Sequence, residues 1–386
     1  MEINQLFENL SDEELDLTNQ LQRIIKKDIS DNNNIIPFSR YMELALYYPG
    51  LGYYSNSLFK FGVKGDFITA PLVSNLFGHM LATQIDEIFS FGVQHHIMEI
   101  GAGNGKLASD ILIAMGEIVD KYYILELSAN LKVWQKETIE NKAPQYLHKV
   151  VWLDELPNSF EGVVFANEVL DAQPCDLISF DKGIAYGVGV SIQNNKFIYD
   201  TYELNGEAQK YVLDLNLDYH DYLTEIHLQN KAFINSISNM LTRGAAIFID
   251  YGVGEKEYYH SQKVRGSLRG FFRQHVINDV LLYPGLIDIT TSVNWTNIAL
   301  SGINAGLELI GYTNQGSFLI NCGLTNMLSK IKATLNEAQY LHISNQVNKL
   351  IAQNEMGDSF KVCGFSKGLL QSDWVGFRDF DKSYLL

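Results

Sequence analysis

Three glycines alternating at Gly101, Gly103 and Gly105 constrain this chain more than any other feature of it. They follow a short apolar run, Ile97-Met-Glu-Ile100, and precede Lys106 to Met115, whose pattern predicts a helix. Glycine tolerates positive φ and leaves no side chain between backbone and ligand. A turn of this kind, at the carboxyl edge of a parallel sheet, is how strand-to-helix loops admit a nucleotide. The alternative is a glycine-rich turn with no ligand. Spacing excludes two nucleotide motifs. G-x-G-x-x-G needs glycine where Lys106 stands. The P-loop needs glycine where Ile100 stands, and Leu107 replaces its Ser or Thr.

The surrounding pattern predicts an α/β chain with a parallel sheet. After the strand at 97–100, apolar runs mark strands at Tyr122 to Leu127, Val150 to Leu153, Gly162 to Ala166 and Ala245 to Ile249. A helix around Leu131 to Glu140 falls between the second and third runs. The fourth and fifth strands are too far apart for one crossover. Part of that gap alternates with period two on either side of Asn194-Asn195, which predicts an inserted β-hairpin. Tyr222 to Leu241 reads as one long helix, and the pair Leu307 to Tyr312 and Ser317 to Asn321 as a closing antiparallel hairpin. Residues 1–90 read as a helical N-terminal region, with Ser11 and Glu14 as a capping box. Residues 91–330 read as the core, carrying an insertion at about 172–243, and 331–386 as a C-terminal segment packed on it.

Composition narrows the partners. The 386 residues carry 29 Lys and Arg against 45 Asp and Glu, a formal charge of −16. Such a field disfavours nucleic acid, whose phosphates demand basic surface. The three cysteines, Cys175, Cys322 and Cys363, are far apart and read as small core residues, not as a disulfide or zinc framework. The histidines show no ligand spacing, so no metal is expected. No run is apolar enough to span a bilayer, and the acidic N-terminus resembles no targeting signal, so the expected compartment is the cytoplasm.

The pattern E-x-G-x-G-x-G resembles the S-adenosyl-L-methionine loop of class I methyltransferases. That likeness implies a Rossmann-like sheet with Glu99 holding the amino end of the cofactor. Glu126, closing the second strand, is placed to accept both ribose hydroxyls, as in dinucleotide sites. By analogy Asp154 contacts the adenine amino group.

Further segments resemble the MidA-like methyltransferases, relatives of the mitochondrial complex I assembly factor that symmetrically dimethylates an arginine. They are Gly65-Asp-Phe-Ile-Thr-Ala-Pro71, Ala166-Asn-Glu-Val-Leu-Asp-Ala-Gln-Pro174, Asp250-Tyr-Gly252 and Leu268-Arg-Gly-Phe271 with His275. Pro284-Gly285, Asp288-Ile-Thr290 and Met356-Gly357 extend the match over most of the chain. The sequence departs from the family at Leu72 and His79, where acids are usual. The resemblance adds Gly65, Asp66 and Thr69 to the cofactor residues. It implies a protein substrate with an exposed arginine, on a respiratory complex I subunit or a bacterial counterpart.

A guanidinium is planar and cationic, and carboxylates hold it through bidentate hydrogen bonds. Glu168 and Asp171 are the candidate carboxylates, with Asn167 orienting the acceptor nitrogen; the alternative for Asp171 is a turn cap. Between Glu257 and Asp279 there is no acid but four bases, which reads as a loop or lid. There Arg269 and His275 either order the site or bind acidic substrate groups; the alternative is a solvated basic patch. The expected activity is S-adenosyl-L-methionine-dependent arginine methylation. The alternatives are a non-catalytic assembly factor that binds the cofactor and a nicotinamide-dependent oxidoreductase. Tyr186, Phe197, Tyr199 and Tyr202 on the insertion read either as core or as a homodimer surface.

Overall fold

The computed structural model describes residues 6–58 and 69–386. The chain divides into two compact units, one drawn from Met1–Phe67, Ala172–Asn230 and Lys256–Ser292, the other from Ile68–Asp171, Lys231–Glu255 and Val293–Leu386.

The second unit is built on one sheet. Its long strands are β1 (His96–Ile100), β2 (Lys121–Leu125), β3 (Val150–Leu153), β4 (Phe160–Asn167), β5 (Leu241–Val253), β6 (Glu308–Asn314) and β7 (Phe360–Lys367). Their order is β6-β7-β5-β4-β1-β2-β3, and the short strand Val293–Asn294 pairs with β5. Neighbours from β5 to β3 run parallel, while β7 is antiparallel to both β5 and β6. The central strands are apolar almost throughout because both faces are covered. Alternate residues go to opposite sides. Ile97, Ile124, Phe165 and Ile247 pack on one face with Ile85 of α1 (Leu76–Ser90), Ile111 of α2 (Lys106–Met115) and Ile139 of α3 (Ala129–Lys142). Met98, Val164 and Phe248 pack on the other face with Ile237 of α4 (Leu228–Met240) and Trp295 of α5 (Trp295–Asn304). Cys175, Cys322 and Cys363 are buried and unbridged.

Two expectations need correction here. Ser317 to Asn321 is not a strand but part of a helix, Gln315–Asn321, started by Asn314, whose side chain accepts from the Ser317 amide. The partner of β6 is instead β7, far along the chain, a pairing that no local pattern announces. Tyr222 to Leu241 is not one helix. Tyr222–Ile226 is a strand paired with Asp176–Asp181, and the helix begins only at Leu228. The Tyr, Thr and Ile of that stretch favour a pleated surface, and pairing prevailed over helical spacing.

The first unit carries an antiparallel sheet of Ile35–Pro37, Ile184–Gln193, Asp176–Asp181 and Tyr222–Ile226, with Lys196–Glu203 paired to Ile184–Gln193. The expected hairpin is present, and both turn residues, Asn194 and Asn195, have positive φ as a tight two-residue turn requires. The helix Asp12–Asp31 carries the expected Ser11–Glu14 capping box. The expected loop or lid at 257–279 is a second, smaller sheet in part: Arg269–Phe272 pairs with His275–Ile277 and Asp288–Thr290. Among the described residues, no helix is long and apolar enough to cross a membrane.

Gly162 and Gly244 face each other across β4 and β5. A Cβ on Gly244 would sit 1.9 Å from the Gly162 carbonyl oxygen, and a Cβ on Gly162 2.3 Å from that of His96. Backbone meets backbone there, so neither position has room to yield. Gly244→Ala should therefore cost at least about 2 kcal/mol. The check is urea unfolding, where the midpoint should fall at unchanged slope; an unchanged midpoint rejects the close approach.

Candidate active site

The carboxyl edge of the parallel strands gathers most of the residues singled out above. β1 ends in the glycine loop, where Gly101, Gly103 and Gly105 have φ of 70°, 51° and 80°. Three left-handed residues in five positions explain why glycine is needed at each. Close packing adds a second reason. A Cβ on Gly101 would lie 2.8 Å from Val169, and one on Gly105 2.9 Å from the Gln135 backbone. Asn104 then accepts from the Lys106 amide and opens α2.

Glu99 is 3% exposed, and its carboxylate accepts from the Tyr122 hydroxyl at 2.7 Å. Burial pushes its carboxyl up to about 8, against the pull of that hydrogen bond, and the charges of Glu126 and Asp110 add to the rise. An acid in this condition favours a cationic partner, as the amino end of a methionine would be. Glu126 follows β2. It accepts from the Ser128 amide at 2.9 Å and the Gln135 side chain at 3.0 Å, and burial raises its carboxyl. A carboxylate so held keeps outward lone pairs for hydroxyl donors. Gln135 also donates to the Gly103 carbonyl at 3.0 Å and accepts from the Trp152 indole at 3.0 Å. One amide thus ties the glycine loop, α3, β3 and Glu126 together. Its signal in sequence is a polar residue at helical spacing between the apolar Leu131 and Ile139.

Buried acids at a strand edge, beside a loop with glycine at every second position, fit the cofactor that the resemblance implies. Asp154 is placed differently. It follows β3, but its side chain is 89% exposed and paired with Lys132. Thr69 precedes the short helix Ala70–Val73 and makes no capping bond with its side chain. Gly65 and Asp66 lie outside the described residues.

At the end of β4 the chain turns sharply. The Glu168 amide donates to the Ile249 carbonyl at 2.9 Å, and Glu168 then adopts φ 55°, an unusual conformation for a residue with a side chain. Asn167 donates through Nδ2 to Glu168 Oε1 at 3.1 Å, while its buried Oδ1 finds no hydrogen-bond partner among the described residues. Asp171 is 8% exposed. The adjacent end of β5 contributes Asp250, which is fully buried and accepts from the amides of Leu170, Asp171 and Tyr251. Burial, then the charge of Glu168, push the Asp250 carboxyl well above the usual carboxylate range.

Arg269 and His275 belong to the other unit, on facing strands of the small sheet, and both are exposed. His275 Nδ1 lies 2.7 Å from the Arg273 carbonyl. Arg265, Arg269 and Arg273 are spaced four residues apart, but the segment that carries them holds no helix. Arg273 instead pairs with Glu14 at 2.8 Å.

The buried acids carry a pH signature. A carboxyl raised on folding destabilises the native state as pH climbs from its ordinary value to its raised one. For Glu99 that window runs from 4.5 to about 8. Stability of the ligand-free chain should therefore decline between pH 5 and 8, and Glu99→Gln should make the decline shallower. Thermal unfolding at the two pH values measures this; parallel profiles for the two proteins would show that Glu99 does not titrate there.

Comparison with known proteins agrees with this geometry. The model of an S-adenosyl-L-methionine-dependent methyltransferase family matches residues 76–313. The chain resembles a Burkholderia thailandensis protein, described as a candidate methyl transferase and crystallised with S-adenosyl-homocysteine. The two share 39% identity and a TM-score of 0.93, over 98% of this chain and 99% of that one. It is also 25% identical to the zebrafish (Danio rerio) mitochondrial protein arginine methyltransferase NDUFAF7, over 84% of this chain and 82% of the relative. The human (Homo sapiens) counterpart is 26% identical, over 84% and 78%. With its glycine loop, its strand-end acids and this match over most of its length, the chain belongs to the MidA-like and NDUFAF7-like family of S-adenosyl-L-methionine-dependent methyltransferases.

Proposed function

We propose that the chain is a protein arginine N-methyltransferase that symmetrically dimethylates an arginine of a respiratory complex I subunit or a bacterial counterpart. Glu99, Gly101, Gly103, Gly105 and Glu126 hold the cofactor, with Asp154, Thr69, Gly65 and Asp66 as further contacts. When bound, S-adenosyl-L-methionine supplies an electrophilic methyl on a sulfonium.

The observation that carries the acceptor assignment is the group at the end of β4. Asn167 commits its Nδ2 to Glu168, which leaves a buried Oδ1 suited to an N–H donor. Glu168 and Asp171 add carboxylates beside it, with Asp250 behind. A guanidinium offers several N–H donors and the charge that balances these acids. Hydrogen bonds fix the acceptor nitrogen in line, and nearby negative charge offsets the repulsion between two cations. The relatives described as protein arginine methyltransferases support the same acceptor. Arg269 and His275 take the role of contacts to acidic groups of the substrate.

Labelled methyl transfer into a proteome, followed by identification of the modified residue, tests the reading. Label on arginine is expected; label on lysine, on a hydroxyl or on small molecules alone overturns the acceptor class. Glu168→Gln should lower turnover at least about tenfold, about 1.4 kcal/mol in transition-state terms, with cofactor affinity kept. Full turnover in that variant removes Glu168 from the site.

A further inference from the structure

Asp250 is a fully buried acid to which the chemistry above gives no contact with the acceptor. It sits on β5 directly after Ile249, whose carbonyl accepts from the Glu168 amide. Asp250 Oδ2 accepts from two successive amides, Leu170 at 2.9 Å and Asp171 at 3.1 Å, and Oδ1 accepts from Tyr251 at 2.8 Å. The segment between these contacts is the turn that carries Glu168 and Asp171. That turn includes Glu168 at φ 55°, a backbone conformation that needs support from its surroundings. Amides turned away from any sheet or helix require an acceptor when buried, and a carboxylate is the strongest one available.

We infer that Asp250 is a positioning residue for the acceptor: it fixes the Asn167–Asp171 turn, and so sets where Glu168 and Asp171 stand, without touching the acceptor itself. This rests on the reading of Glu168 and Asp171 as acceptor ligands. Glu99 and Glu126 hang from β1 and β2 and bond to Tyr122, Ser128 and Gln135 rather than to Asp250, and the turn approaches the glycine loop through the Val169 side chain at Gly101, not through a hydrogen bond of Asp250. Loss of the Asp250 carboxylate therefore separates the two substrates.

Asp250→Asn keeps the shape but turns one acceptor into a donor, so at least one of the three amides faces an N–H instead of an oxygen. The expected result is a rise of at least about tenfold in KM for the protein acceptor, or an equal fall in kcat/KM. Affinity for S-adenosyl-homocysteine, by calorimetry, should stay within about twofold. Asp250→Glu restores a carboxylate on a longer stem and should recover part of the acceptor KM. Should Asp250→Asn be too unstable to assay, Asp250→Glu alone carries the test, with acceptor KM raised and cofactor affinity kept. Parallel loss of cofactor affinity and turnover in a folded variant would make Asp250 merely structural, and an unchanged acceptor KM would leave it no role in positioning. The split can be read with whichever acceptor the wild type labels. Failure of the arginine assignment then shows in the identity of the labelled residue, and failure of this inference in the KM values.

Discussion

A carboxylate taken out of water must be given hydrogen-bond donors or give up its charge, and the carboxyl edge of this sheet is organised around that demand. Asp250 takes three amides, Glu126 an amide and the Gln135 side chain, and Glu99 the Tyr122 hydroxyl. Most of these bonds reach from a strand end to another element: the turn after β4, the loop and helix after β2, or the neighbouring strand. The acids therefore do two things at once. They gather acidic groups that a cationic partner would draw into the charged form, and they pin the loops that shape the edge. The other unit repeats the device. Glu225, fully buried, accepts from the consecutive amides of Ser267 and Leu268 at 2.7 Å each and from the Tyr258 hydroxyl at 2.9 Å, and so anchors the segment that leads into Arg269.

Local features were legible in the sequence because local physics determines them. The glycine loop and α2 follow from spacing, and the Ser11 cap and the Asn194–Asn195 turn from residue chemistry. The parallel strands were legible as apolar runs between turn residues, since both their faces are covered. Pairings between distant segments were not. β6 meets β7 only after the chain has passed through further helices, and Tyr222–Ile226 finds Asp176–Asp181 across the hairpin. In each case periodicity suggested a nearer solution.

The candidate site divides the same way. Glu99 and Glu126 could be placed because the strand end next to a glycine loop is a defined location. Gln135 could not, because its importance lies in three bonds to three separate elements, although a lone polar residue in an apolar stripe hinted at it. Asp154 is held less firmly than either. Its position after a strand is as expected, but its side chain turns to Lys132 and solvent. Sequence fixes a residue's place along a strand more firmly than the direction of its side chain once the strand has ended.

The left-handed backbone at Glu168 has a consequence for how such a chain can change over time. Glycine or asparagine would fill that conformation more comfortably than glutamate. Selection for stability alone would thus pull the position away from the acid, while selection for activity holds it there. Copies freed from the second pressure, after gene duplication for example, should drift first at this turn. A Gly or Asn at the position in an otherwise similar chain would mark a scaffold that has left its chemistry behind.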